Sequence, residues 1–227
     1  MSFSESGSLQ ALIFDMDGVI SDTMPYHLEA WIQYSQTVPA LKNIDRDRLN
    51  KMGGKRNSEL IAELLDNSMD EADAFCWAME KEALYREIIA GKVEFLPGLT
   101  EFLERAEFQG LRLGLGTSAC EENVDLILGH EDIGLRFPVR VTEADVIEGK
   151  PDPECYLLVA ERLGVSPSDC LVFEDAIAGV QSAKRAGMRC WGVTTTEPGA
   201  ALLDAGAELT IQDFGDPRLE ELLAGEL

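Results

Sequence analysis

Leu9-Gln10-Ala11-Leu12-Ile13-Phe14-Asp15-Met16-Asp17-Gly18-Val19-Ile20-Ser21-Asp22-Thr23 is the stretch around which the chain is organised. Its apolar run from Ala11 to Phe14 is short, rich in strand formers and cut off by Asp15, Asp17 and Gly18. That pattern predicts a buried strand delivering two carboxylates at its end. Burying unpaired charge is costly or forces protonation, so the two anions should be open to solvent, paired, or holding a cation. The rest of the chain can be searched for that cation's other ligands.

Outward from this stretch the texture is first helical. Residues 24–38 carry Leu28, Trp31, Ile32 and Ser35 at helical spacing, with His27 and Trp31 four apart on one face. Residues 57–65 and 70–89 continue the pattern, with no convincing strand before Val93. Met52-Gly53-Gly54-Lys55-Arg56-Asn57 is the marked break: two glycines permit a tight loop, and the lysine and arginine make it cationic. From Leu96 helix and strand alternate. Strands are expected at 111–116, 139–142, 170–173 and 189–193, with a weaker signal at 208–211. Helices are expected from Leu99 to a stop at Gly110, near 122–128, over 154–163, from after Asp175 to Ala186, and near 219–223.

Strand-helix alternation implies an α/β fold with a doubly wound, Rossmann-like parallel sheet and ligands at the carboxyl ends of its strands. The helical block interrupts that alternation between the first strand and its first crossover helix, so it reads as an inserted α-helical cap domain. The expected division is a core of residues 1–22 and 93–227 and a cap of 23–92, joined by linkers near Ser21 to Thr23 and Lys92 to Leu96.

The chain has 227 residues, enough for a substantial core with an insertion, and 45% of them are apolar, as in ordinary globular proteins. With 42 acidic and 19 basic residues the formal charge is −23. That balance argues against nucleic acid, which is bound by clustered lysine and arginine, and against anionic membrane surfaces. No basic-then-apolar leader and no run approaching a membrane span is visible, so a cytoplasmic protein is expected. Five widely spaced cysteines, without a Cys-x-x-Cys pair, read as reduced and mostly buried thiols. A monomer or weak homodimer is expected.

Asp15 and Asp17 follow the first strand, Thr117 and Ser118 the second, Lys150 lies in the loop beyond the third, and Glu174 and Asp175 follow the fourth. All would converge on one rim. Carboxylates at that density suit a hard cation such as Mg2+, which takes oxygen ligands and leaves positions for water and substrate phosphate. The chemistry they suit is phosphoryl transfer with Asp15 as nucleophile and Asp17 as acid and base. Lys150, the Thr117 hydroxyl and backbone N–H groups around Gly18 and Ser118 would stabilise charge on the phosphoryl oxygens. The Glu174-Asp175 pair can also cap the helix that follows, a role compatible with metal binding.

Phe14-Asp15-Met16-Asp17-Gly18-Val19-Ile20-Ser21-Asp22 resembles the first motif of the haloacid dehalogenase superfamily. Gly116-Thr117-Ser118 resembles its second, Gly149-Lys150-Pro151-Asp152-Pro153 its third and Phe173-Glu174-Asp175-Ala176-Ile177-Ala178-Gly179-Val180 its fourth. The position of the insert and the Glu-Asp pair are similar to the β-phosphoglucomutase-like branch. The resemblance implies a magnesium-dependent aspartyl-phosphate mechanism, with Asp15, the backbone carbonyl of Asp17, Glu174 and Asp175 around the metal. It implies a small phosphorylated metabolite, most often a sugar phosphate, as substrate. His27 and Trp31 match residues at the cap hinge and substrate pocket, and Arg56, after Gly53 and Gly54, matches a cap arginine that holds a non-reacting phosphate. His27, Trp31, Gly53 and Arg56 are therefore expected to meet substrate, with Gly18 and Ser118 from the core. Arg86 aligns loosely with a cap lysine.

The expected activity is that of a phosphatase, with a phosphosugar mutase as alternative: Ala119-Cys120-Glu121 lacks the Ser-Lys-Asn of a mutase, and Thr194-Thr195-Thr196 looks more like the phosphatases. A phosphonate hydrolase would need a cap lysine in a context that Lys55 lacks. A non-catalytic phospho-ligand module would predict loss of Asp15, Asp17 or Lys150, and all three are present.

Overall fold

Strand β1 (Ala11–Phe14) lies at the centre of a six-stranded sheet in the computed structural model, which describes residues 8–41, 54–65 and 69–226. The other strands are β2 (Arg112–Gly116), β3 (Val139–Val141), β4 (Cys170–Glu174), β5 (Arg189–Val193) and β6 (Leu209–Ile211), in the order β3-β2-β1-β4-β5-β6 with every pairing parallel. Phe14 is in register with Leu115 on one side and Phe173 on the other. The chain leaves β1 toward β2 and β3, then returns to build β4 to β6 on the opposite edge. The crevice at the carboxyl ends of β1 and β4 is thus the switch point where an open α/β sheet takes its ligands.

Both faces of the sheet are covered, and for that reason β1 has no polar residue. Leu12 and Phe14 pack on one face, with helices α4 (Leu99–Phe108), α5 (Glu121–Leu128) and α9 (Arg218–Ala224). Ala11 and Ile13 pack on the other, with α6 (Glu154–Leu163), α7 (Ile177–Arg185) and α8 (Gly199–Ala205). Phe14 stacks on Phe173 at 5.0 Å and meets Phe102, Phe137 and Phe214. Burying each large apolar side chain contributes roughly 1.5–3 kcal/mol, so this cluster offsets the cost of the charged site built directly above it.

The helices inserted after β1 are α1 (Met24–Thr37), α2 (Asn57–Leu64) and α3 (Glu71–Ile89), with no strand among the described residues between Met24 and Val93. They enclose their own apolar cluster of Trp31, Tyr34, Leu41, Leu60, Ile61, Leu64, Ala74 and Ala78. Asp70 caps α3 by accepting from the backbone N–H of Asp73 at 2.9 Å. Where the chain leaves and rejoins the sheet, Ser21 bridges antiparallel to Phe95 and its hydroxyl donates to the Glu94 carbonyl at 2.8 Å.

Helix α8 was not expected from the sequence. It has two turns, opened by Pro198 and closed by Gly206 in the left-handed region, and buries Leu202 against the sheet. A run that short carries too few apolar repeats to register as periodic. Four of the five cysteines are buried and Cys76 is exposed; all are free. Among the described residues no helix is long and apolar enough to cross a membrane.

Candidate active site

The site grows from the end of β1. The Asp15 N–H donates to the Phe173 carbonyl at 3.0 Å, which keeps the chain in the ladder for one residue more and fixes the Asp15 side chain at the crevice. Gly18 has φ +80°, a conformation in which an L side chain is strained, and a Cβ there would collide with the Asp175 carboxylate. A glycine is thus required for the turn to bring Asp15 and Asp175 together. Thr195 ties that turn to the end of β5, its hydroxyl donating to the Gly18 carbonyl at 2.6 Å. Gly179 plays the matching part on α7, where a Cβ would occupy the space of the Glu174 carboxylate.

Asp15, Glu174 and Asp175 each offer an oxygen within 4.8 Å of the others, and all three are buried. Lys150 lies beneath them, its ammonium donating to Asp15 Oδ1 at 2.9 Å, Glu174 Oε1 at 2.8 Å and the Gly116 carbonyl at 3.1 Å. The Tyr156 hydroxyl adds a donor to Glu174 Oε1 at 2.8 Å, and the Ala176 N–H one to Oε2 at 2.9 Å. Burial pushes the Asp15 carboxyl up and the nearby Glu174 adds to the shift, although Lys150 opposes both. Burial, followed by the charges of Glu174 and Asp15, pushes Asp175 well up. Three carboxylates against one ammonium leave two negative charges uncompensated. The donor set is all oxygen, and a divalent cation carries the missing charge, so the cluster fits a hard metal ion.

Asp17 stands apart from that cluster. Its Oδ1 accepts from the Thr23 hydroxyl at 2.5 Å and lies 3.3 Å from His27 Nε2. Burial pushes this carboxyl up, but the charge and hydrogen bond of His27, with Thr23 and Lys81, outweigh it and hold it below the usual range. His27 is itself stacked on Tyr85 at 3.7 Å, and its Nδ1 is 2.7 Å from the Lys81 ammonium. The two aspartates two residues apart therefore sit in opposite electrostatic settings.

A cavity of about 440 Å3 opens above these groups between sheet and cap. Of the expected site residues, Asp15, Asp17, His27, Trp31, Thr117, Ser118 and Asp175 line it, Lys150 and Glu174 are buried below, and Gly18 is not on its wall; Lys55 and Thr195 line it as well. The Thr117 hydroxyl accepts from the Ala119 N–H at 3.1 Å, and the Ser118 hydroxyl donates to the Gly54 carbonyl at 2.9 Å, joining core to cap. Arg56 departs from expectation: it does not line the cavity, because its guanidinium is held by Glu59 one helical turn away, with Nε at 2.6 Å. Arg86 is likewise off the wall, donating to Asn123 Oδ1 at 2.9 Å. Gly53 lies outside the described residues.

Sequence reading missed Lys81, Glu82, Asn57 and Asn123, which line the cap end of the cavity. Lys81 is fully buried and Glu82 is 3% exposed, a rare state for either residue type. The available signal was spacing: Lys81 is four residues before Tyr85, hence on the same face of α3 as the residue that stacks on His27.

These observations coincide with the comparisons. Residues 12–193 match the haloacid dehalogenase-like hydrolase family. This chain is a haloacid dehalogenase-like hydrolase. The hydrolase is 36% identical over 205 residues to a phosphorylated carbohydrates phosphatase of Thermotoga maritima, spanning 88% of this chain and 92% of that one. It is 32% identical over 222 residues to a β-phosphoglucomutase of Bacillus subtilis, spanning 94% of each. A solved haloacid dehalogenase-type hydrolase of family IA, variant 3, from Entamoeba histolytica superimposes with a TM-score of 0.85 at 27% identity, covering 96% of this chain and 99% of that one.

One acid of the hydrolase sits away from the reactive cluster. Glu143 follows β3, and burial, then the Glu82 charge, push its carboxyl up to about 7, with Glu122 and Glu59 adding and Arg56 opposing. Between its ordinary value of 4.5 and about 7 the folded protein keeps a proton that the unfolded chain has lost. Stability from this group is therefore full below the window and falls as pH rises through it. Glu143→Gln is expected to match wild type near pH 4.5 and to gain stability over it progressively up to pH 7, in urea denaturation at a series of pH values. A difference that does not vary with pH would contradict the assignment.

Proposed function

We propose that the protein is a magnesium-dependent phosphatase that hydrolyses a small phosphorylated metabolite, a sugar phosphate, through an aspartyl-phosphate on Asp15. The observation that carries this reading is the separation of the two aspartates: Asp15 inside an undercompensated carboxylate cluster, Asp17 outside it on Thr23 and His27. Asp15, Glu174 and Asp175, with the backbone carbonyl of Asp17, would hold the ion. When bound, magnesium supplies charge that screens the carboxylates from the phosphoryl oxygens and draws electron density from phosphorus.

The chain's own residues do the rest. An Asp15 oxygen forms a bond to phosphorus as the bond to the ester oxygen breaks, and Asp17 gives that oxygen its proton. Asp17 is held ionised at rest, so it enters this step only after taking up a proton from solvent. Ionised again, Asp17 takes a proton from the water that attacks phosphorus and releases Asp15. Lys150 and the Thr117 hydroxyl, with N–H groups near Gly18 and Ser118, steady the transferring group. We also propose the division into core 1–22 and 93–227 and cap 23–92, because the wall of the cavity is built from both.

The test is a panel of phosphomonoesters with magnesium, including β-glucose 1-phosphate, scored for free phosphate and for isomerised sugar phosphate. Phosphate release that disappears in EDTA and returns with magnesium is expected. Isomerisation dependent on a bisphosphate primer, with little phosphate released, would replace this reading with a mutase.

A further inference from the structure

Among the described residues Lys55, Arg56 and Lys81 lie at or beside the cavity and each is tied to a carboxylate of the cap itself, whereas Arg86 is held by the amide oxygen of Asn123. Lys55 pairs with Glu63, Arg56 with Glu59, and Lys81 with Glu82 at 2.8 Å. Glu82 is the most constrained of the three acids. Its Oε1 accepts from Lys81 and from the Asn57 side-chain amide on α2, and its Oε2 accepts from the Asn123 amide on α5 of the core. It is 3% exposed and Asn123 is 1% exposed, so swinging the carboxylate away would leave buried donors unpaired. Lys81 is equally committed, its ammonium also lying 2.7 Å from His27 Nδ1.

The cap end of the cavity therefore presents carboxylate, amide and imidazole groups beside the face of Trp31, with its buried ammonium already neutralised. A phosphate brought to Lys81 would meet the Glu82 carboxylate at the same ammonium, a like-charge contact. A hydroxyl can instead donate to Glu82 and accept from an amide. We infer that Glu82 is a specificity-determining residue that admits a neutral, hydroxyl-bearing substrate body at the cap end and rejects a second phosphate there. The inference rests on the phosphomonoesterase reading and extends it to the chemistry of the substrate's far end.

Binding tests it without requiring turnover. Asp15→Asn protein in magnesium is titrated calorimetrically with glucose 6-phosphate against glucose 1,6-bisphosphate, and with fructose 6-phosphate against fructose 1,6-bisphosphate. The monophosphate is expected to bind about 10- to 100-fold more tightly in at least one pair, and adding Glu82→Gln should bring that ratio to within about threefold of unity. Lys81→Met in place of Glu82→Gln controls for a variant that fails to fold, and should leave the preference for the monophosphate in place. Equal binding of both members by the Asp15→Asn protein, an unchanged ratio in a folded Glu82→Gln variant, or binding of no member of either pair would overturn the inference. Failure of the phosphatase reading shows separately, as wild-type protein that releases no phosphate from any monoester.

Discussion

Asp15→Asn is expected to lower turnover by at least about 10⁴-fold while leaving the protein as stable as wild type, or more so. Removing a covalent nucleophile costs several powers of ten because no neighbouring group can form the same intermediate. Asp17 is the nearest rival, but its carboxylate is turned to Thr23 and His27 and lies outside the cluster. The stability half of the expectation has the opposite sign for an electrostatic reason. Burial and Glu174 disfavour the charged form of Asp15, so an isosteric neutral amide relieves repulsion while its oxygen still accepts from Lys150. Steady-state phosphate release with magnesium reads the first effect, and thermal denaturation in EDTA at pH 8 reads the second. Residual activity within tenfold of wild type would remove Asp15 from its role; lost activity together with a large drop in melting temperature would make the result one of folding.

Lys150→Met should be the most destabilising change at the site, by about 3–5 kcal/mol in EDTA at pH 8, the usual cost of breaking a buried ion pair from one side. The ammonium is buried and serves both Asp15 and Glu174; burial disfavours its charge, and the charges of these two carboxylates outweigh burial and hold the lysine protonated. Magnesium should recover much of the loss by restoring positive charge to the cluster, and the deficit should shrink at pH 6, where the raised carboxyls of Asp15 and Asp175 take up protons. Urea denaturation with and without magnesium measures both trends. A variant as stable as wild type in EDTA would show that Lys150 does not balance the carboxylates.

The strand-end carboxylates were legible because a parallel sheet converts linear order into spatial convergence. Each motif follows its strand at the carboxyl edge, so Asp15, Thr117, Lys150, Glu174 and Asp175 meet whatever the exact strand bounds. The cap followed a weaker rule. Helical periodicity identifies which face of α1 or α3 is apolar, yet it does not separate a lysine that covers a surface from one buried against an imidazole. Arg56, set beside two glycines, stands out in the sequence, whereas the fully buried cation lining the cavity is Lys81; Glu59, three residues on, holds Arg56 off the wall.

From the sequence alone came the α/β class, the insertion after β1 and the acidic pair on which the chain is built, since strand formers, breakers and alternation are local properties. Tertiary structure decided the electrostatic setting of each member of that pair and what faces it across the cavity. Burial, with Glu174 from far along the chain adding to it, raises Asp15, while His27, ten residues on, outweighs burial and lowers Asp17 through a contact that residue order does not specify. Charge at a site is set by distance and by exclusion of water, and neither is written in the order of residues.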